Sequence, residues 1–219
     1  MEKIYKGIHH FQSSYFKKEE DFFKRLSEGQ KPEVMFITCA DSRVDPALVT
    51  HSMPGELFIM RNVGNIIPPY DAIRDKSSVA AAIEFAVLGL KVKDIIVCGH
   101  SNCGAMQALY RDKKDFEGMP HLKEWIELVL PVKEIVDRLF PKSSPTECQQ
   151  IAERENILFQ LRNIQTYPFV ADALKAGDIY LHGWYYDIGT GDIYAYTPET
   201  DTFEKIAYDT GSNEKKGQR

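Results

Sequence analysis

Val34-Met35-Phe36-Ile37-Thr38 runs directly into Cys39-Ala40-Asp41-Ser42-Arg43. The first five residues are continuous and largely β-branched or aromatic, the pattern of a buried strand. Asp45-Pro46 follows, a helix-capping residue ahead of a proline at the first helical position. A thiol, a carboxylate and a guanidinium therefore share the loop at a strand's carboxyl end, where open α/β sheets build ligand sites. A second apolar run, Ile95-Ile96-Val97-Cys98, ends in Gly99-His100-Ser101-Asn102-Cys103-Gly104. If the two strands are neighbours in one parallel sheet, Cys39, His100 and Cys103 converge on one point, which is a metal site in outline.

Working outward, residues 1–29 place Ile4, Ile8, Phe11 and Tyr15 at helical spacing, then Phe22, Phe23 and Leu26 among charges. These read equally as two helices covering their own core or as an arm laid on a neighbouring subunit. Leu57-Phe58-Ile59-Met60-Arg61 predicts another strand after a turn at Pro54-Gly55. Ser77 caps a predicted helix through Leu90, apolar on most faces and so expected to be buried. Between 111 and 145 the chain is charged and broken by Pro120, Pro131, Pro141 and Pro145, which predicts short surface helices. Ser144-Pro145-Thr146-Glu147 is a capping box opening a long helix to about residue 166. Another helix begins at Pro168 and ends at Gly177. Ile179–Asp187 and Ile193–Thr197, joined across Gly189-Thr190-Gly191-Asp192, predict a closing hairpin. Strands alternating with helices give an α/β fold with a mainly parallel sheet. Residues 1–219 read as a single domain, and the polar stretch 211–219 as a disordered tail.

At 219 residues the chain has room for a sizeable core, and 43% hydrophobic with 27% charged residues is an ordinary globular balance. A formal charge of −5 gives no electrostatic reason to expect nucleic acid or an anionic membrane as partner. No apolar run reaches membrane-spanning length, and Met1-Glu2-Lys3 opens no signal-peptide pattern. Four cysteines in a chain this long are not a disulfide framework. The expectation is a cytoplasmic protein whose thiols are reduced and free to bind metal.

Zinc takes thiolate and imidazole ligands tetrahedrally, and a catalytic zinc keeps one position for water. Cys39, His100 and Cys103 leave that fourth position available. The alternative is a closed site completed by Cys98, which lies inside an apolar run, or by Asp41. Arg43, two residues on, can hold Asp41 ionised in a charge-assisted pair; a solvated surface pair of little energetic weight is the other possibility. An open zinc lowers the pKa of bound water to about 7 and provides hydroxide as a nucleophile. Carbon dioxide, a carbonyl, an amide or a nucleobase are chemically admissible electrophiles. The deaminase pattern of His-x-Glu with Pro-Cys-x-x-Cys is missing, which removes the nucleobase.

Cys39-Ala40-Asp41-Ser42-Arg43 followed by His100-Ser101-Asn102-Cys103-Gly104 resembles the β-class carbonic anhydrases. The likeness extends through Pro54–Phe58, Arg61–Asn65, Ala82–Ala86, Glu155-Asn156 and His182-Gly183-Trp184, over roughly residues 25–200. It is strongest to bacterial, cyanobacterial and plant-like members. The resemblance implies reversible hydration of carbon dioxide to bicarbonate and a proton. One zinc per subunit would sit on Cys39, His100 and Cys103, beside a catalytic Asp41–Arg43 dyad. It implies four parallel strands with an added antiparallel edge strand, flanked by helices, and an N-terminal helical arm over 1–29.

Members are dimers or dimer-based higher oligomers with pockets at the interface, which assigns the arm to the partner. Gln30 matches a pocket glutamine of the open, plant-like kind. Phe36 stands where members whose aspartate swings onto the metal carry tryptophan. Phe85 departs from the pattern, replacing a pocket tyrosine, while Phe58, Val63 and Gly104 match other pocket-lining positions. Relatives on this fold that hydrolyse carbon disulfide or carbonyl sulfide, and a catalytically silent zinc scaffold, are the competing expectations. His9, His10, His51, His121 and His182 include no residue singled out as a proton relay.

Overall fold

The structure is a computed structural model that describes residues 1–72 and 77–207. The expected disordered tail at 211–219 lies outside the described residues.

The two apolar runs are strands β1 (Val34–Cys39) and β3 (Asp94–His100), with β2 (Leu57–Asn62) between them in sequence. β1 lies in the middle, parallel to both: Phe36 aligns with Ile59 on one side and Ile96 on the other. β4 (Tyr180–Tyr186) adds in parallel to β3, and β5 (Ile193–Thr197) and β6 (Thr202–Lys205) follow antiparallel. The order is β2-β1-β3-β4-β5-β6. The antiparallel edge is therefore two strands wide rather than one. β6 escapes notice in the sequence because Thr202-Phe203-Glu204-Lys205 offers one apolar residue, Phe203, whose ring packs on Tyr196 at 5.5 Å.

Alternate residues of the central strands face two separate cores, which is why they read as unbroken apolar runs. Met35, Ile37, Ile95 and Val97 meet Ile83, Ile157, Ile164 and Tyr167 on one face. Phe36, Ile96 and Cys98 meet Trp184 on the other.

Helix α1 (Glu2–His10) continues through a π-helical stretch (Phe11–Tyr15) and a last turn (Phe16–Lys18) before α2 (Glu20–Ser27). None of the residues Glu2–Lys18 is buried, and Phe11, Tyr15 and Phe16 gather round Phe23 of α2 at ring-centre distances of 5.6, 6.0 and 5.1 Å. Asp45 caps α3 (Pro46–Thr50), accepting from the N–H groups of Ala47 and Leu48. Ser77 caps α4 (Ser78–Glu84), which runs into a π-helical stretch at Phe85–Leu90. After α5 (Gly104–Ala108) come α6 (Pro120–Glu127) and α7 (Leu130–Leu139). These two are more than surface helices: Ile126, Val129, Val132 and Val136 bury a third cluster with Ile66 and Met106. α8 (Pro145–Ile164) opens with the full capping box, and α9 (Pro168–Ala176) ends at Gly177 in the left-handed conformation.

A candidate metal centre at the switch point

The chain leaves β1 toward β2 on one side and returns as β3 on the other, so their carboxyl ends flank a topological switch point. Register then fixes the neighbours: Thr38 lies opposite Cys98, so Cys39 and His100 emerge side by side. The metal-binding atoms of Cys39, His100 and Cys103 lie within 4.8 Å of one another. Among the described residues no other group of three such side chains converges in this way.

The donor set fits zinc on the chain's own polar accounting. His100 is 1% exposed, and its Nδ1 donates to the Ser101 carbonyl oxygen at 2.9 Å. That bond leaves the Nε2 lone pair free, and Nε2 is buried without any hydrogen-bond partner. An orphaned ring nitrogen beside two cysteine sulfurs is an incomplete polar site that a thiophilic cation completes. In the metal-free chain Cys39 is held well below the ordinary thiol range, chiefly by a hydrogen bond from Cys103. Cys103 is pushed well above that range by the same bond. A bound cation takes both cysteines as thiolates and displaces their protons. Gly64 contributes its backbone N–H to Cys39 Sγ at 3.3 Å. Its φ of 77° and a 2.7 Å approach of any Cβ to the Ala105 side chain reserve this position for glycine.

Cys98 takes no part. It faces the opposite side of the sheet with Phe36 and Ile96, and burial pushes its thiol up to about 12. Asp41 is engaged by Arg43 on both oxygens: Nε donates to Oδ1 at 2.9 Å and Nη2 to Oδ2 at 2.8 Å. The Arg43 backbone N–H adds a third donor to Oδ1 at 2.9 Å. These hydrogen bonds hold the Asp41 carboxyl well below the usual carboxylate range. Oδ2 lies 4.0 Å from the free His100 Nε2, so the carboxylate edge with spare acceptor capacity borders the metal position.

A cavity of about 300 Å³ opens beside Cys39 and Asp41. Cys39, Asp41, Val63 and Gly104 line it, with Ala105, Ala108, Phe116, Met119 and Leu122 making most of its wall apolar. Of the pocket residues expected from sequence, Val63 and Gly104 are therefore at the site. Gln30, Phe58 and Phe85 are not part of it within one chain. Gln30 borders a separate groove beside Pro54 and Gly55, and Phe58 stacks edge-on against Phe85 at 5.8 Å.

Several supporting residues had no assigned role in the sequence. Arg61 donates to the carbonyl oxygens of Cys39 at 3.1 Å and Asp41 at 2.7 Å, clamping the first ligand loop. Trp125 Nε1 donates to the Val63 carbonyl at 2.8 Å. Asn156, Gln160 and Asn163 on α8 bind the backbone of Gly64 and Ile67 from below. The signal for Arg61 was its place at a strand's carboxyl end; the others needed the fold.

Fold and site together define an α/β protein with a two-cysteine, one-histidine metal centre open toward a small apolar cavity. A sequence model described as carbonic anhydrase matches residues 34–193. A carbonic anhydrase of Synechocystis sp. is 42% identical over 196 residues, spanning 90% of this chain and 71% of the relative. The solved β-carbonic anhydrase CcaA is 40% identical with a TM-score of 0.90, over 94% of this chain and 99% of that one. One of two tetrameric β-carbonic anhydrases from Sordaria macrospora is 27% identical with a TM-score of 0.79, over 89% and 95% of the respective chains. The chain belongs to the carbonic anhydrase family, in its β class. Zinc is the metal of that class, and the Cys39–His100–Cys103 cluster is suited to one ion.

Proposed function

We propose that the chain catalyses the reversible hydration of carbon dioxide to bicarbonate and a proton at the Cys39–His100–Cys103 centre. The observation that carries this reading is the unpartnered His100 Nε2, set between two cysteine sulfurs and 4.0 Å from an arginine-locked carboxylate. Zinc, when bound, supplies an acidified water and with it a nucleophile near neutral pH.

The chain's own residues do the rest. Asp41 Oδ2 accepts a hydrogen bond from the nucleophile and turns its lone pair toward the substrate. Arg43 keeps that carboxylate ionised and prevents it from rotating onto the metal, which favours a permanently open site. Its Nη2 also donates to the Asn102 carbonyl at 3.1 Å, tying the dyad to the second ligand loop. Val63, Ala105, Ala108, Phe116, Met119 and Leu122 offer an apolar surface to an uncharged, linear substrate. Arg111, which lines the same cavity, offers a positive charge to the departing anion.

Gln30, Phe58 and Phe85 act, in this reading, in the pocket of a second copy. Phe85 is 49% exposed and lies with Phe58 beside the sheet edge made by β2, and α1 carries Ile4, Ile8 and Phe11 exposed. A homodimer, or a higher oligomer such as the tetramers of the Sordaria macrospora enzymes, gives these faces a partner. The chain then acts as one domain, with 1–29 as the dimerisation arm. A cytoplasmic setting suits a site built on two cysteines that must stay reduced. No described helix is long and apolar enough to cross a membrane.

Stopped-flow hydration of carbon dioxide by the zinc-loaded protein over about pH 6.5 to 9 tests the reading. Turnover across that range is expected. Activity confined to the alkaline end would place Asp41 on the metal at lower pH, and no turnover with zinc bound would overturn the assignment.

A further inference from the structure

α8 buries a carboxylate directly beneath the second ligand loop. Glu153 is 2% exposed. Its Oε1 accepts from the Cys103 backbone N–H at 3.1 Å and from Gln149 Nε2 at 3.2 Å, and its Oε2 accepts from the Tyr185 hydroxyl at 2.9 Å. Among the described residues no lysine, arginine or histidine lies within ion-pair distance of it. The Arg154 guanidinium sits instead over the Tyr185 ring, 4.0 Å from its centre.

A carboxylate sealed from water without a cation is costly unless hydrogen bonds and nearby positive charge hold it. Three donors meet the first need. The second is met by a divalent cation on Cys103, the residue Glu153 grips; the inference therefore rests on the zinc reading above. The reach is also fixed. A Cβ on Gly99 would stand 3.2 Å from the Glu153 carbonyl oxygen, so α8 lies tight against the end of β3 and presents Glu153 to Cys103.

Each residue of the second ligand loop is tied to a different element. Ser101 donates its N–H to the Tyr186 carbonyl at 2.9 Å and accepts from the Ile188 N–H at 2.9 Å. Asn102 is held through its carbonyl by Arg43. Cys103 is held through its N–H by Glu153. Metal ligands are kept in orientation by such outer contacts.

The geometry points to Glu153 as a positioning residue of the metal centre, fixing the Cys103 backbone so that its sulfur is retained on zinc. The same side chain couples the centre to the C-terminal hairpin through Tyr185.

The test is zinc transfer from the loaded, full-length protein to a chromophoric chelator, well below the unfolding temperature. The visible spectrum of the cobalt-substituted protein is the second readout. Glu153→Ala is expected to release zinc about tenfold to a hundredfold faster and to alter the cobalt–thiolate bands. Glu153→Gln keeps an oxygen that accepts from Cys103 N–H and is expected to restore release to within about threefold of the parent, a small part of the outer-contact effect. If Glu153→Ala does not fold, Glu153→Asp replaces it: the charge stays but the shorter arm no longer reaches, and fast release is again expected. Parent-like release and spectrum in the alanine or aspartate variant, even with a lowered Tm, would overturn the inference. Failure of the parent protein itself to hold zinc would instead overturn the reading on which it rests.

Discussion

Asp41 shows how one neighbour determines what a side chain can do. Arg43 donates to both oxygens of this carboxylate, through Nε and Nη2, leaving one oxygen edge to face the metal position. Asp41→Asn keeps the shape and loses the anionic acceptor. We expect kcat/KM to fall by about 10²- to 10⁴-fold with zinc content unchanged, checked by stopped-flow and metal analysis. The same pair has a stability signature. The folded carboxyl titrates below its ordinary value, so its contribution is full above about pH 3.9 and is lost as pH falls through the lower folded value. The difference in unfolding free energy between parent and Asp41→Asn should therefore shrink below about pH 4, a small change because Arg43 is half exposed. Cys98 makes the opposite case. Its thiol, pushed up to about 12 by burial, should stay unmodified by a thiol reagent at about pH 8 in the folded protein, as mass spectrometry of the digested adduct would show. At this scale the sequence was informative, because Cys98 sits inside an apolar run and Asp41 two residues before an arginine. Glu153 was illegible: one more acid on a mixed helix reads as a solvated face until β3 is placed against it.

At the scale of elements, α8 and β3 form the seat of the site. Gly99 and Gly183 let the helix approach; a Cβ on Gly99 would meet Ile157 at 2.8 Å. Gly99→Ala should destabilise the protein by about 1–3 kcal/mol, read from urea unfolding, since neither strand nor helix can give way independently. Below the helix, Gln160 accepts from the Ile67 N–H at 2.8 Å in a fully buried position. Gln160→Leu leaves that donor unsatisfied and should cost about 1–3 kcal/mol without changing the zinc ligands. Strand and helix starts were legible because local chemistry marks them: continuous β-branched runs for β1 and β3, Asp45, Ser77 and Ser144 as caps. The polar spine of α8 was not. Asn156, Gln160 and Asn163 recur at helical spacing, which in isolation describes a surface; only the irregular segment after β2, with its unpaired backbone groups, turns that face inward. β6 was missed for the converse reason, having too few apolar residues to show a period.

Across the whole molecule, the centre is assembled from residues far apart in the chain, and in the proposed dimer a second copy completes the pocket above it. Cys39 and His100 meet because β1 and β3 pair in parallel, a pairing the two matching strand-loop patterns had anticipated. Under the proposed dimer, the copy that supplies Gln30, Phe58 and Phe85 was not legible, since a sequence carries the same residues for both. If the exposed apolar stripe of α1 wraps a partner, Ile8→Asp combined with Phe11→Asp should lower the oligomeric mass in light scattering and reduce turnover, leaving zinc bound. The central claim is that one zinc on Cys39, His100 and Cys103 hydrates carbon dioxide. Its most direct test is titration of the metal-stripped protein with zinc while hydration is followed by stopped-flow. Activity should rise linearly to a plateau at one zinc per chain, with none in Cys39→Ser at any loading. A fully loaded protein without turnover, or a Cys39→Ser variant with parent-like turnover, would contradict it.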